Sequence, residues 1–348
     1  MIAYVHQNIK HLLKHKDVKC EICGKETYTK TIPICPDCAR TKKALDYVGM
    51  LHRGVEKIKG RGKFKCRLCS NECGFDDFGL CGLRFARDDK LVSLSNSNKA
   101  VLYAYEDPLP TNCCNAWFCD GSKLKGTNLA VFYYGCNFGC LFCQNWSHKN
   151  IGEGRIVSVD EMVERAMPER VKCICHFGGS PEPQLPFAIK FSREVLKRRK
   201  VVICWEWNGA GRTSLALKAS KLSHESGGTV KFDLKAWNPY LHMILTGRSN
   251  EQTLKNFEKI FDHYPEVLSA TTLLVPYYVD EREVEGIARF LASLSDEIPY
   301  SLLVFHPDYK LSDLPVTPKA QVERCYRTAK KYLRRVHIGN KFLLAYAP

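Results

Sequence analysis

The sequence predicts an α/β fold: a partial (β/α)6 TIM-like barrel preceded by a small Cys-rich, zinc-ribbon-like module. Three observations carry that expectation. From about residue 127, six short β-rich runs alternate with amphipathic helical stretches. Two Cys-x2-Cys pairs stand in residues 1–60. A compact trio, Cys136, Cys140 and Cys143, follows the first run immediately, where the C-terminal ends of parallel strands carry chemistry.

Length and composition set the frame. The chain has 348 residues, 45% of them hydrophobic, enough for one large core and an accessory module. It holds no apolar run of about 18 residues, so no membrane span is expected. Met1-Ile-Ala-Tyr-Val-His-Gln-Asn8 lacks the apolar core and cleavage site of a secretory signal. Eighteen cysteines in such a chain point to metal or cluster binding in a reducing cytosol, not to disulfides. The net charge is +15, which favours acidic partners such as nucleic acid or an acidic protein. Part of it lies in the run Arg53 to Lys65, which also reads as a solvated basic surface.

Three segments are expected: the ribbon and basic linker in 1–60, a Cys-rich stretch in 61–126, and the barrel in 127–348. In the first, Cys20, Cys23, Cys35 and Cys38 form two knuckles that bring four thiolates into a tetrahedron, suited to structural zinc. In the second, Cys66-x2-Cys69-x3-Cys73-x7-Cys81 has the ligands for zinc or for an auxiliary cluster, and spacing does not choose between them. Cys113, Cys114 and Cys119 form a looser group with no assigned purpose.

The barrel strands are expected at Leu129–Tyr134, Lys172–Phe177, Val201–Trp205, Thr229–Leu234, Ala270–Val275 and Ser301–Phe305, apolar runs bounded by turn residues. Ser158 with Glu161 and Asp280 with Glu283 have capping-box spacing, and Thr317-Pro318 reads as a helix start. Val284, Ile287, Ala288, Leu291 and Leu294 form one core-facing stripe; Val322, Cys325, Ala329, Tyr332 and Leu333 form another. Cys173, Cys175, Cys204 and Cys325 fall within strand or helix patterns and read as small buried apolar residues.

Thiolates hold iron–sulfur clusters, usually four per four-iron cluster, so a compact trio leaves one iron open to a small molecule. The string Gly135-Cys136 to Gln144-Asn145, with Phe142 before the last cysteine, resembles the radical S-adenosylmethionine enzymes, in the branch related to pyruvate formate-lyase activating enzymes. His176-Phe-Gly-Gly-Ser-Pro-Glu-Pro183, Trp205-Glu-Trp-Asn-Gly209, Asp233-Leu-Lys235 and Phe305-His-Pro-Asp-Tyr-Lys310 agree in order and spacing. Leu245-Thr-Gly247 and Leu274-Val-Pro276 are similar too, and the likeness covers about residues 64–340.

The resemblance implies a [4Fe-4S] cluster on Cys136, Cys140 and Cys143, its open iron binding the amino and carboxylate groups of S-adenosylmethionine. An electron then splits a carbon–sulfur bond, and the 5′-deoxyadenosyl radical abstracts hydrogen from substrate. It further implies Phe142 near the adenine, the Gly178-Gly179 backbone accepting from the methionine amino group, and Lys235 with Asp233 at the carboxylate. His306 is implied on the adenine side, and a reduced ferredoxin or flavodoxin-type protein as electron donor. Each residue has a plainer role open to it: a turn at Gly178-Gly179, an ion pair between Asp233 and Lys235, a loop histidine at 306.

The resemblance implies a glycyl-radical or other protein as substrate, and the charge with the Cys20 to Cys38 module gives RNA as the alternative. A non-enzymatic zinc or electron-transfer protein is the rival, and it requires Cys113, Cys114 or Cys119 to supply a fourth ligand to the trio. The stretch Asp107 to Ser122 departs from the related pattern in its middle, so no particular substrate transfers.

Overall fold

The computed structural model of the protein describes residues 18–110 and 113–348. Residues 1–17 of the expected first segment, with the reading of Met1 to Asn8, and Thr111-Asn112 of the departing stretch lie outside the described residues.

The chain enters through the cysteine knuckles, a single turn of helix at Pro36–Ala39 and helix α1 (Leu45–Leu51). This module is welded to the barrel. Ile32, Ile34, Ala39, Ala44, Val48 and Leu51 are buried in the same core as the barrel strands. Arg40, its side chain 11% exposed, pairs with Asp280 at 2.8 Å and Glu283 at 2.7 Å, while donating to the Tyr278 carbonyl at 2.7 Å. Breaking such a buried network strands a charge and costs about 3–5 kcal/mol.

Nine strands form the main sheet: β1 (Lys99–Pro108), β2 (Thr127–Tyr133), β3 (Arg155–Ser158), β4 (Val171–Gly178), β5 (Val202–Trp207), β6 (Val230–Asp233), β7 (Leu268–Leu274), β8 (Tyr300–Val304) and β9 (Val336–Gly339). The order is β9-β8-β7-β6-β5-β4-β2-β1-β3. From β2 to β9, leaving β3 aside, the pairing is parallel and follows chain order without reversal. A doubly wound sheet would reverse at a switch point; this one winds one way, as an open barrel does, with its edges β9 and β3 unjoined. Each of the six expected strands is present with ends within two residues of the expectation.

Three strands were not expected. β9 is only four residues of Val-His-Ile-Gly, too short to announce itself. β1 and β3 run antiparallel on the other edge.

The intervening helices are α2 (Val159–Ala166), α3 (Leu185–Leu196), α4 (Thr213–Ser226), α5 (Pro239–Thr246), α6 (Glu251–Phe261), α7 (Glu281–Leu294) and α8 (Lys319–Lys330). Ser158 caps α2 as expected, accepting from the Glu161 amide at 3.1 Å. Asp280 caps α7, so that start stands as expected, but its box does not close, and the Thr317 start needs correction. Asp280 accepts from the Arg282 amide, and Glu283 turns away from the box to hold Arg40 and the amides of Trp237 and Asn238. Thr317 does not cap α8; its hydroxyl donates to the Leu274 carbonyl and accepts from the Phe305 amide.

The stretch after β1 closes the N-terminal end of the barrel. Asn115 donates to Thr229 at 3.0 Å and accepts from Ser269 at 3.1 Å. Trp117 donates to Ser301 at 3.0 Å and stacks on His337 at 5.2 Å. These partners stand at the starts of β6, β7, β8 and β9, so the stretch spans the bottom of the sheet. Among the described residues no helix is long and apolar enough to cross a membrane.

Candidate functional site

At the opposite end, the strand C-termini surround a cavity open to solvent. Cys136, Cys140, Phe142 and Cys143 reach it from the loop after β2, Gly178-Gly179 from the end of β4, Asp233 from the end of β6, and Lys235 just beyond. Eight of the nine residues expected around the cluster and cofactor therefore line one space. His306 lies outside that lining.

The loop after β2 is held from both sides. Gly139 and Leu141 donate backbone hydrogen bonds to Thr246 and Leu245 at the end of α5, at 2.8 and 3.0 Å. Gly178 has φ +87°, and a β-carbon there would lie 2.6 Å from the Phe132 α-carbon; one on Gly179 would lie 2.5 Å from the Tyr133 carbonyl. Close packing of β4 on β2 thus requires both glycines, and it leaves their backbone bare to the cavity.

Asp233 and Lys235 do form the ion pair that their sequence allowed, at 2.8 Å, and they do so within the cavity wall. Thr271 donates to the other Asp233 oxygen at 2.6 Å. Burial by itself would raise the Asp233 pKa, yet Lys235 and Lys231 hold it well below the ordinary carboxylate range. Burial opposes the charge on Lys235, but Asp233 and the cysteines raise its pKa above the usual lysine value. Its ammonium lies 5.7 Å from the Phe142 ring centre.

The thiols need a cation. Burial pushes Cys136 up to about 12 and raises Cys143, with the Lys149 charge acting against both. Lys149, whose ammonium donates to the Phe138 carbonyl at 3.2 Å, is a residue that sequence reasoning missed. Arg248, buried beside Cys136 and donating to the Asn137 carbonyl at 3.1 Å, is another. Glu182, fully buried, is a third: its oxygens accept from the Gly209 amide at 2.7 Å and from the Ser180 hydroxyl. Asn208 then donates to Asn137 at 2.7 Å and Ser180 at 3.1 Å, tying three motif loops together. Each sits inside or beside a motif; a lysine or glutamate in an otherwise apolar, turn-rich string was the available signal.

Among the described residues Cys20, Cys23, Cys35 and Cys38 are the only group of three or more His, Cys, Asp or Glu whose ligand atoms all lie within 4.8 Å of one another. A four-cysteine site is therefore present in the N-terminal module. Cys66, Cys69, Cys73 and Cys81 instead surround a small cavity of their own. Cys113 and Cys119 face a third cavity, in the barrel interior, with Cys173, Cys175 and Cys204. The thiols of Cys173, Cys175, Cys204 and Cys325 are buried, as small apolar residues would be. Glu206 lines both the third cavity and the trio's, and its 2.5 Å pair with Lys231 is shared between them. None of Cys113, Cys114 and Cys119 lines the trio's cavity, so the fourth ligand that a non-enzymatic reading requires is not among its lining residues.

The barrel thus carries a three-thiol pocket at its strand C-termini, and comparison with known proteins finds relatives of this part of the chain. Residues 130–291 match the Radical SAM superfamily. The chain is 30% identical over 219 residues to an uncharacterized protein of Methanocaldococcus jannaschii, covering 59% of this chain and 61% of that one. A second protein of that organism, provisionally named a glycyl-radical enzyme activating enzyme, is 27% identical over 62% of this chain and 81% of its own. The pyruvate formate-lyase 1-activating enzyme of Escherichia coli K12 is 22% identical over 61% of this chain and 92% of its own. The match spans less than two thirds of the first of these relatives. Residues 130–291 are thus similar to the Radical SAM superfamily, and the chain is similar to relatives named as activating enzymes.

Proposed function

We propose that this protein abstracts hydrogen from a partner protein, with the cluster on Cys136, Cys140 and Cys143 and S-adenosylmethionine in the same cavity. The observation that carries the reading is that cavity, where the trio, the Gly178-Gly179 backbone and the Asp233–Lys235 pair converge. The residues fit the group: the three thiols are spaced more widely than one ion requires and are faced by Lys149 and Arg248. When bound, the cluster and S-adenosylmethionine supply reductive cleavage of the sulfonium and the hydrogen-abstracting species.

The chain's own residues do the rest. Lys149 and Lys235 offset the charge of the thiolates. The bare backbone of Gly178 and Gly179 takes the amino group, and Lys235 takes the carboxylate while Asp233 keeps it charged and aimed. Phe142 offers an apolar face to the adenine. The buried walls exclude water from the reacting atoms. Activation of a glycyl-radical protein is the finer reading, supported by the names of the relatives. The N-terminal module packs against the strand C-termini beside this cavity and gives a partner protein somewhere to dock.

Anaerobic reconstitution tests the core of this reading. A four-iron spectrum, and 5′-deoxyadenosine on reduction with S-adenosylmethionine, are expected; the lack of either overturns it. Deuterated cell protein and deuterated RNA, offered separately, test the substrate. Deuterium should enter 5′-deoxyadenosine from the protein pool, and transfer from RNA alone would move the substrate to nucleic acid.

A further inference from the structure

We propose that Cys66, Cys69, Cys73 and Cys81 hold a second iron–sulfur cluster, packed against the backbone that carries the first.

The ligand set is built by local structure. Phe64–Lys65 pairs antiparallel with Gly74–Phe75, and the Cys66 amide extends the ladder to the Cys73 carbonyl at 2.9 Å. The loop between them carries Cys69 and is clamped to the loop after β5: Ser70 donates to the Ala210 carbonyl at 2.9 Å, and Arg212 donates to that of Leu68 at 3.0 Å. Cys81 arrives from the next turn, and all four cysteines line one small cavity.

Spacing selects the metal. Zinc bonds of 2.3 Å in a tetrahedron put sulfurs about 3.8 Å apart. The N-terminal quartet meets that demand, whereas no three of these four thiols lie within 4.8 Å of one another. A four-iron cluster sets four irons and their sulfides between the thiolates, and so needs a wider ring. The trio at Cys136, Cys140 and Cys143 is spaced too widely for one ion as well. The quartet therefore resembles the trio and differs from the ribbon.

The wall supplies an independent sign. Arg84 is 7% exposed and lines this cavity, and its Nη1 has no hydrogen-bond partner. Its Nη2 reaches only the Pro183 and Ser95 carbonyls, at 3.2 and 3.4 Å. A buried guanidinium facing four sulfurs suits an anionic, all-thiolate cluster.

The two sites share a partition one residue thick. Asn137, next to Cys136, lines the quartet's cavity, and its carbonyl accepts from Asn71 at 2.8 Å and from Arg248 at 3.1 Å. Asn71 belongs to the Cys69–Cys73 loop, and the Arg248 charge acts on Cys73 and Cys136 alike.

The test uses the full chain, reconstituted anaerobically with iron and sulfide, with iron and zinc counted and the reduced protein examined by EPR. Wild type should bind about eight irons, as two four-iron clusters. The Cys136→Ala/Cys140→Ala/Cys143→Ala variant changes no quartet residue and should keep about four irons with a cluster EPR signal. Adding Cys66→Ser and Cys69→Ser to that variant should abolish both. A triple variant without cluster iron overturns the inference, and a second zinc per chain would name the true occupant. The outcome stands apart from the proposed function: eight irons without 5′-deoxyadenosine sinks that reading alone, while a working enzyme with four irons sinks only this one.

Discussion

The two cysteine quartets begin with the same Cys-x2-Cys step and fold to different apertures. Cys20, Cys23, Cys35 and Cys38 close to within 4.8 Å, the size of one ion. Cys66, Cys69, Cys73 and Cys81 stand back around a cavity, held open by a hairpin on one side and the loop after β5 on the other. In the first quartet the two knuckles are tied to each other, the Glu21 amide donating to the Pro33 carbonyl at 3.0 Å, and they approach until the thiols meet. In the second, anchoring to the barrel stops that approach. Ligand identity is a property of residues, but aperture is a property of what the residues are attached to.

The largest effect expected from testing this contrast is at the trio, the reference for a wide aperture. Cys140→Ala should reduce 5′-deoxyadenosine formation to background while leaving one zinc per chain. Loss of zinc together with iron would show that the apertures do not sort the metals.

Cys35→Ser attacks the narrow aperture. Zinc should fall from about one per chain to none, because structural zinc needs four closed ligands. Iron should hold, and hydrogen exchange should rise across Cys20–Ala39. An unchanged zinc count would break the comparison.

Arg40→Met asks what keeps the narrow site on the barrel. It leaves Glu283 buried without a cation, while Asp280 keeps Arg282 at 3.0 Å, and unfolding free energy should drop by about 3–5 kcal/mol. A change under about 1 kcal/mol would mean the module docks through apolar contact alone.

Glu182 braces, through the Gly209 amide, the loop that holds the wide aperture open. Burial raises its pKa from 4.5 to about 7. Between those values the folded carboxyl keeps a proton that the unfolded chain has lost. Its contribution is therefore intact below pH 4.5 and drains away as pH rises to about 7. At about 1.4 kcal/mol per pH unit the loss is roughly 3 kcal/mol. Urea unfolding from pH 5 to 8 should show that decline in wild type and a flatter profile in Glu182→Gln. Parallel slopes would remove Glu182 from this role.

Much of the site was legible because its chemistry depends on local strings. The trio, Phe142, Gly178-Gly179, Asp233 and Lys235 each sit where a strand ends, and parallel strands deliver their ends to one face. Lys149, Arg248, Glu182 and Asn208 were not legible, since their roles lie in contacts made across loops far apart in sequence. His306 shows the converse: it follows a strand end, yet lies outside the lining. Cys113 and Cys119 had no purpose in sequence, and the fold sets them in the barrel interior beside the cysteines of β4 and β5.

By itself the sequence determined the six parallel strands, the three-thiol loop and the membership of the two cysteine quartets. Apolar periodicity and short-range ligand spacing survive in one dimension. Only the tertiary structure decided how wide each cysteine ring stands, which cations face it, and that one residue, Asn137, divides two of them. Those depend on distances between segments that no local pattern encodes.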